Sequence, residues 1–459
     1  MKLKFLLALL SAMFAATQFV SAELIELNLD DCIDLALKNN RTIEQSAELR
    51  ENAKWVLKRY RRATGPSLTW TSAVNKIGGK DYETRRANSD SNYKHAFDNT
   101  LRFSYPLYSG GKNENNIASA ELNLNSADLN LENTKQQVVL DTTSAYYDVL
   151  RNKNLITVKE NTVNLLQKHL DQVTSKFQIG VVPGSDILSS KVQLANAVQS
   201  LVTTQNDYDN ALATLSNLIG LPISDDLLIK NTMSYQKFAV NLQDCTDYAF
   251  KYRPDGISAL YAVKKAEKDI AVVKSNRLPQ VNAQVSRTFN GEKVFDNDHN
   301  DNWTAGLSIS WNVFDNNVTS AQVQENEATL RRLQSVYEQT REKIELDVRK
   351  AYNNLIASEK NILTTQTAVK QAEEEYRIAQ VKYDEGVGTN LEVMDAQEKF
   401  TEAQTNYFTA LYNYNVSKAQ LDKAMGVPIY IDVVLYDESV QNGKSADLAL
   451  KNSILDDRK

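Results

Sequence analysis

Glu392 and Asp395 stand three residues apart in a stretch with helical periodicity, a spacing that places both carboxylates on one face of a helix. Like charges brought close together raise each other's pKa and attract cations. Two carboxylates on a solvated helix face do neither, and at the level of the residues both readings stand. A second acidic cluster, Asp296, Asp298, His299 and Asp301, has the donors to hold a divalent cation. It lies in a polar stretch predicted to be an outer loop, and plain loop solvation is the reading preferred there, as it is for His95. Three histidines and two cysteines leave little for a metal cage or a nucleophile–base pair. The chain has no phosphate-cradling glycine loop, no nucleophile elbow and no zinc spacing. Neither catalytic residues, nor a cofactor, nor a metal site is expected.

The elements that would hold these residues are long. With 15 glycines and 7 prolines in 459 residues, breakers are scarce. The balance of 52 cations against 58 anions, −6 overall, argues against nucleic acid as a partner. Lys2 and Lys4, an apolar run from Phe5 to Val20 and the small residues Val20-Ser21-Ala22 read as an export signal over 1–22. No later stretch reaches 18 apolar residues, so no spanning helix is expected.

The chain is written twice. Asn28-Leu29-Asp30-Asp31-Cys32 returns as Asn241-Leu242-Gln243-Asp244-Cys245 at an offset of 213, and Pro66 as Pro279. Tyr105-Pro106-Leu107-Tyr108 matches Trp311-Asn312-Val313-Phe314 at 206, an offset that then holds through Gly180/Gly386 to Gly220/Gly426 and Pro222/Pro428. The organisation expected is a first repeat over 23–222, a second over 223–428 and a tail over 429–459. Cys32 and Cys245, at equivalent positions, read as small core residues rather than halves of a disulfide.

Each copy reads helix, strand, strand, long helix, helix. Residues 29–63 have the pattern of one helix, halted by Thr64-Gly65-Pro66. Leu101, Phe103, Tyr105 and Leu107 alternate with polar residues, as do Leu307, Ile309, Trp311 and Val313, with partners near 67–76 and 280–289. This predicts one hairpin per copy, over about 67–108 and 280–314, with polar loops at 77–98 and 290–302. Residues 113–178 contain neither Gly nor Pro and would span roughly 100 Å as one helix. The segment ends on a heptad seam, Val163, Leu166, Leu170, Val173 and Phe177, repeated as Val369, Ala372, Tyr376, Ala379 and Tyr383. Turns at 180–184 and 385–389 lead into return helices whose apolar residues recur every seven positions.

Four strands with one apolar and one polar face cannot close a barrel, and lipid tolerates no open sheet edge. Several chains must therefore share one. At this point the sequence resembles the TolC family of outer-membrane efflux and secretion channels. The residues that carry the likeness are the duplicated unit, Tyr105-Pro106-Leu107-Tyr108-Ser109-Gly110-Gly111, Phe177-Gln178-Ile179-Gly180 with Asp186-Ile187-Leu188, and Tyr383-Asp384-Glu385-Gly386 with Glu392-Val393-Met394-Asp395-Ala396-Gln397. The resemblance implies an α+β, mainly α fold. It implies a homotrimer with a 12-stranded β-barrel in the outer membrane, a 12-helix α-barrel tunnel through the periplasm, and an equatorial belt from residues around 220–240 and the tail after 428. The implied function is a passive exit duct for a tripartite efflux pump or a type I secretion system. Its implied partners are outer-membrane lipid, a periplasmic adaptor and an inner-membrane transporter. The competing reading, a soluble periplasmic coiled-coil scaffold without channel activity, leaves the alternating aromatic hairpins unexplained.

The resemblance also assigns roles at the turns, which become periplasmic tips. Glu392 and Asp395 fall at the positions of a pore carboxylate ring. Ser185, Asp186 and Tyr383 match a gate, with a Tyr383-to-Asp186 hydrogen bond between neighbouring hairpins. Gly180, Val181, Val182, Pro183, Gly386 and Val387 would meet the adaptor. Family members with a gate arginine carry it where this chain has Gly388, so that second link is not expected here.

Overall fold

A computed structural model describes residues 25–76, 83, 95–222, 227–230, 233–291 and 300–429. The expected export signal, the inner parts of both polar loops with Asp296, Asp298 and His299, and the tail from 430 lie outside the described residues. In chain order the elements are β1 (Ile25–Leu27), α1 (Leu29–Asn39), α2 (Arg41–Ala63), β2 (Ser67–Lys76), β3 (His95–Tyr108), α3 (Lys112–Gln178), α4 (Gly184–Ile219), β4 (Leu227–Ile229), α5 (Leu242–Tyr252) and α6 (Pro254–Lys274). There follow a short 3-10 turn, β5 (Gln280–Gly291), β6 (Asn300–Ser310), α7 (Val318–Asp384) and α8 (Asn390–Met425). The fold is mainly helical: α3 and α7 have 67 residues each, and α4 and α8 have 36 each. Among the described residues no helix is long and apolar enough to cross a membrane.

The chain divides into two compact units. The first takes in the chain up to Glu44 with Asn133–Arg253 and Ile344–Ile429; the second takes in Gln45–Glu132 and Pro254–Lys343. In the first, fully buried Tyr146, Leu150, Leu215, Ile219, Ile344, Leu355, Tyr414 and Leu421 form the packing seams. Their recurrence at four, seven and eleven residues keeps each seam facing its neighbour.

The expectation of one helix over 29–63 is corrected: the chain breaks at Asn40, whose backbone is extended (ψ 125°). Two asparagines do this. Asn40 Oδ1 accepts from the Thr42 N–H at 2.9 Å and starts α2 as its cap. Asn39 and Asn40 turn their amide NH2 groups onto the carbonyls of Ile219 and Leu218, the unpaired end of α4. Gly220 closes that end at φ +71°, with its α-carbon so near Asn39 that an added Cβ would lie 2.6 Å from the Asn39 Cβ. At the end of α8, Gly426 stands as close to Arg253, whose guanidinium donates to the Ala424 carbonyl and pairs with Asp347 at 2.9 Å. Cys32 and Cys245 are unbridged and fully buried; burial pushes their thiols up to about 12 and about 11.

One feature of the first unit was not expected from the sequence. β1 and β4 pair in parallel, Ile25 to Leu227 through Leu27 to Ile229. Tyr146 donates to the Lys230 carbonyl at 2.8 Å, and the Tyr414 hydroxyl to that of Gln236. The segment after α4 is thereby fastened across α3 and α8.

The second unit holds an antiparallel sheet in the order β2-β3-β5-β6. Its register separates the faces. Ser67, Thr69 and Thr71 oppose Ser104, Arg102 and Thr100, which oppose Gln284, Ser286 and Thr288, and these oppose Gly306, Thr304 and Asn302. Thr100 and Thr288 hydroxyls bond at 3.2 Å, and Ser286 and Thr304 at 2.8 Å. The opposite face takes Leu68, Trp70, Leu101, Phe103, Tyr105, Val285, Trp303, Leu307 and Ile309, all at least 39% exposed. The sheet is open, with β2 and β6 at its edges. Two details differ from expectation. Pro106 has no N–H for the ladder, and the register slips between Pro106 and Tyr108. β6 ends at Ser310, not near 314, because the residue that would next face it is Pro279; Trp311 instead donates its indole N–H to the Arg277 carbonyl at 3.0 Å.

Candidate functional site at the hairpin tips

All the gate, ring and tip residues singled out above belong to the first unit. The turn after α3 closes with the Gly180 N–H on the Phe177 carbonyl and the Val181 N–H on that of Lys176, Gly180 supplying φ +77°. The turn after α7 closes likewise, with Gly386 and Val387 bonding back to Tyr383 and Lys382. Gly388 adds a third bond to the Lys382 carbonyl, and an added Cβ there would lie 2.9 Å from the Lys382 Cβ and 3.1 Å from its backbone. That packing leaves no room for any side chain at 388 without movement.

Thr389 starts α8 with a reciprocal cap: its hydroxyl accepts from the Glu392 N–H, and Glu392 Oε2 accepts from the Thr389 N–H, both at 3.2 Å. Glu392 thus works as a helix-capping carboxylate. Asp395 pairs with Lys399 at 2.9 Å, and Lys399 reaches Glu375 on α7 at 3.1 Å. Glu392 and Asp395 line one groove of about 600 Å³ with Lys370, Glu374, Glu375 and Lys382. The sequence spacing anticipated the shared face; it did not anticipate the lysines.

Tyr383 is 3% exposed in a cluster with Val173, Tyr376, Ala379, Val393 and Ala396. Its hydroxyl has no hydrogen-bond partner among the described residues. Burial, with Asp186 and Asp384 nearby, raises its pKa. Lys176 lies 4.1 Å from the Tyr383 ring centroid and donates to its backbone carbonyl. The Tyr383-to-Asp186 bond is therefore not made within one chain. Asp186 is half-buried, with the neighbouring Ser185 hydroxyl 3.5 Å from its carboxylate. Of the tip residues, Val182 packs onto the Tyr383 cluster, while Gly180, Val181, Pro183, Gly386 and Val387 are exposed.

Sequence reasoning missed the polar centre of the tip. His169 on α3 is 2% exposed, and its Nε2 lies 2.6 Å from Asn390 Oδ1 on α8. The Ser190 hydroxyl on α4 reaches the same oxygen at 3.4 Å, and the Asn390 amide donates to the Asp186 carbonyl at 3.4 Å. Because Asn390 Oδ1 is an acceptor, Nε2 carries the histidine proton and Nδ1 is left without a partner. Burial holds the His169 pKa below its ordinary value; the Asn390 bond and Asp384 oppose this, and Lys176 adds to it. A signal was available: His169 stands three residues after Leu166 and four before Val173, on the buried face of the seam. Among the described residues no group of three metal-ligating side chains occurs.

One unit holds the paired helical tips and the other a sheet with one apolar face, and comparison with known proteins shows the family. The model of the outer membrane efflux protein family matches residues 32–221 and 249–427, and the chain belongs to that family. Outer membrane protein TolC of Escherichia coli is 23% identical over 65% of this chain, and the match spans 63% of that relative's length. TolC of Vibrio cholerae is 23% identical over 89% of the chain and 92% of its own. The alkaline protease secretion protein AprF of Pseudomonas aeruginosa is 21% identical over 91% and 88%. In fold, the chain is similar to the Campylobacter jejuni CmeC outer membrane channel, with TM-score 0.78, 16% identity and 91% and 88% covered. It is likewise similar to VceC of Vibrio cholerae, with TM-score 0.73, 17% identity and 87% and 96% covered. The chain is an outer-membrane protein, and its family points to a channel and not to an enzyme.

Proposed function

We propose that three copies of this chain form one passive exit duct, each giving four strands to a shared 12-stranded barrel and four long helices to a periplasmic tunnel. One observation carries the reading: the four-stranded sheet sorts its residues into an apolar and a hydroxyl-rich face and leaves both edge strands unpaired. In lipid each unpaired backbone group costs several kcal/mol, and joining the β2 edge of one copy to the β6 edge of the next removes that cost. The apolar face would meet lipid and the hydroxyl face the lumen. A soluble scaffold would leave that apolar face without an occupant. The two copies of the repeat would each supply one hairpin and one helix pair.

In this duct the turns at 180–184 and 385–389 are the inner mouth. Three copies would set six carboxylates, from Glu392 and Asp395, around it, favouring cations and opposing closure by their mutual repulsion. The unpartnered Tyr383 hydroxyl has a bond to offer, and Asp186 is its acceptor when the hairpins close. Exposed Val181 and Val387 suit docking of a periplasmic adaptor, through which an inner-membrane transporter supplies the energy. Relatives named for protein secretion and for solvent efflux are both similar to this chain, and the duct would belong to a tripartite efflux pump or to a type I secretion system.

The test is the molar mass of the protein extracted from outer membranes in detergent, corrected for bound detergent. Three chains are expected, with a defined conductance in planar bilayers. A monomer that stays soluble without detergent overturns the shared barrel.

A further inference from the structure

The densest run of cations in this acidic chain lies where the sheet begins. Residues 52–66 contain Lys54, Lys58, Arg59, Arg61 and Arg62 and no carboxylate, and β2 starts at Ser67. Two of the five are paired: Lys54 with Glu51 at 2.9 Å and Arg61 with Glu121 at 2.7 Å. Lys58, Arg59 and Arg62 have no carboxylate partner among the described residues and are exposed. They are not scattered around α2. Ala53 and Leu57 define its buried face, at 4% and 7% exposure. At 100° per residue, Lys58, Arg59 and Arg62 lie opposite that face, in one patch with Trp55. Trp55 is 53% exposed and its ring centroid lies 4.2 Å from Lys58 Nζ; Arg59 lies 5.1 Å from the Tyr60 ring centroid.

The same end of the sheet carries more of this chemistry. Lys274 and Arg277 are exposed just before β5 begins, and Trp311 and Phe314 are exposed just after β6 ends, at 58% and 80%. Exposed cations on apolar stems, interleaved with indole and phenyl rings, suit the boundary between hydrocarbon and headgroups. The ring sits at the hydrocarbon edge and the cation meets the phosphate. The carboxylates of this helix, Glu44, Glu48 and Glu51, lie in its earlier turns, and from residue 52 to its end it carries cations alone.

We propose that the outward face of the end of α2, with Trp55, Lys58, Arg59 and Arg62, binds the phosphodiester headgroups of anionic phospholipids in the membrane leaflet at the helical end of the sheet. The proposal rests on the sheet lying in the membrane, as argued above. The surface orders the lipid around the base of the barrel and fixes the depth at which the sheet sits. Arginine suits this because its planar fork bonds two phosphate oxygens at once, while Lys58 contributes as a point charge.

The test reconstitutes the full chain in phosphatidylcholine vesicles that contain increasing fractions of dibrominated phosphatidylglycerol or dibrominated phosphatidylcholine. Tryptophan quenching reads the association of each lipid. The wild-type chain should prefer phosphatidylglycerol at low ionic strength. The preference should fall about fivefold for each cation removed along K58Q, R59Q and R62Q, following roughly 1 kcal/mol per cation at an anionic surface. The charge-keeping set K58R, R59K and R62K should retain most of it, and R331Q with R332Q, on α7 away from this end of the sheet, should not change it. Equal quenching by the two lipids in the wild type, or an undiminished preference in the triple glutamine variant, overturns the proposal. So does loss of preference in the charge-keeping set, or abolition by inorganic phosphate beyond the effect of chloride at equal ionic strength. A wild-type chain that enters neither vesicle overturns the membrane reading itself, a result distinct from entry without preference.

Discussion

Asn390 joins three helices with one side chain, and its removal has a calculable effect. In Asn390→Ala the His169 Nε2–H loses its 2.6 Å acceptor while still buried, and the Asp186 carbonyl loses a 3.4 Å donor. Leaving one buried donor unmade costs about 1–3 kcal/mol. The second contact is long and half-exposed and adds little. A local loss of about 2 kcal/mol corresponds to roughly 30-fold easier opening, since 1.4 kcal/mol is tenfold. Hydrogen exchange of the amides of α8 around residues 394–400, and of α3 around His169, reads this directly, because exchange follows local opening. Amides near Tyr146 and Leu215, in the packing seams, should be unchanged. Replacing both partners, His169→Leu with Asn390→Leu, should cost about 1–2 kcal/mol less than the two single changes summed, because neither member of the short His169–Asn390 bond is left orphaned by loss of the other. Unchanged exchange in Asn390→Ala, or strict additivity in the double variant, would refute this account of the tip.

Four further outcomes follow from the same geometry. The folded pKa of His169 lies below its unfolded value, so the unfolded tip binds more protons; tip stability should be complete above about pH 6.5 and fall as pH drops below it, with His169→Gln abolishing the dependence in pH-resolved exchange. Glu392→Gln keeps the cap with Thr389 but removes the charge, so it should leave thermal stability unchanged while weakening cation block in bilayer recordings; Asp395→Asn should act in the same direction. Gly388→Ala should accelerate exchange at the α7–α8 turn, since its methyl would press on the Lys382 backbone; unaltered exchange there would show that the turn yields freely. Cys32 and Cys245, buried and with thiols pushed up to about 12 and about 11, should resist thiol reagents at pH 8 until the chain is denatured, as titration with a chromogenic disulfide will read.

Much of the fold was legible because it depends on local pattern. The absence of Gly and Pro from 113–178 and the seam Leu166, Leu170, Val173 specify a long helix with one buried stripe, and α3 runs from Lys112 to Gln178. Alternation at Leu101–Leu107 marked a strand, and Gly180 and Gly386 marked the turns because both positions require φ near +77°. Glu392 and Asp395 could be placed on one face from spacing alone.

Most of what escaped the sequence depends on partners about two hundred positions away. The break at Asn40 fits a helix pattern as well as a cap does; what decides it is the end of α4, 178 residues distant, whose carbonyls need the two asparagine amides. Asn390 reads as the first residue of a helix until His169, 221 positions earlier, is brought against it. Gly388 becomes obligatory only once Lys382 packs within reach of its α-carbon. β1 and β4 are three-residue segments with no pattern of their own, and pairing alone makes them strands. Periodicity is a one-dimensional property, so residue order alone marks most of the elements and their buried faces. Capping, close approach and burial of a single polar group are properties of position in space, and they arise only when distant segments pack together.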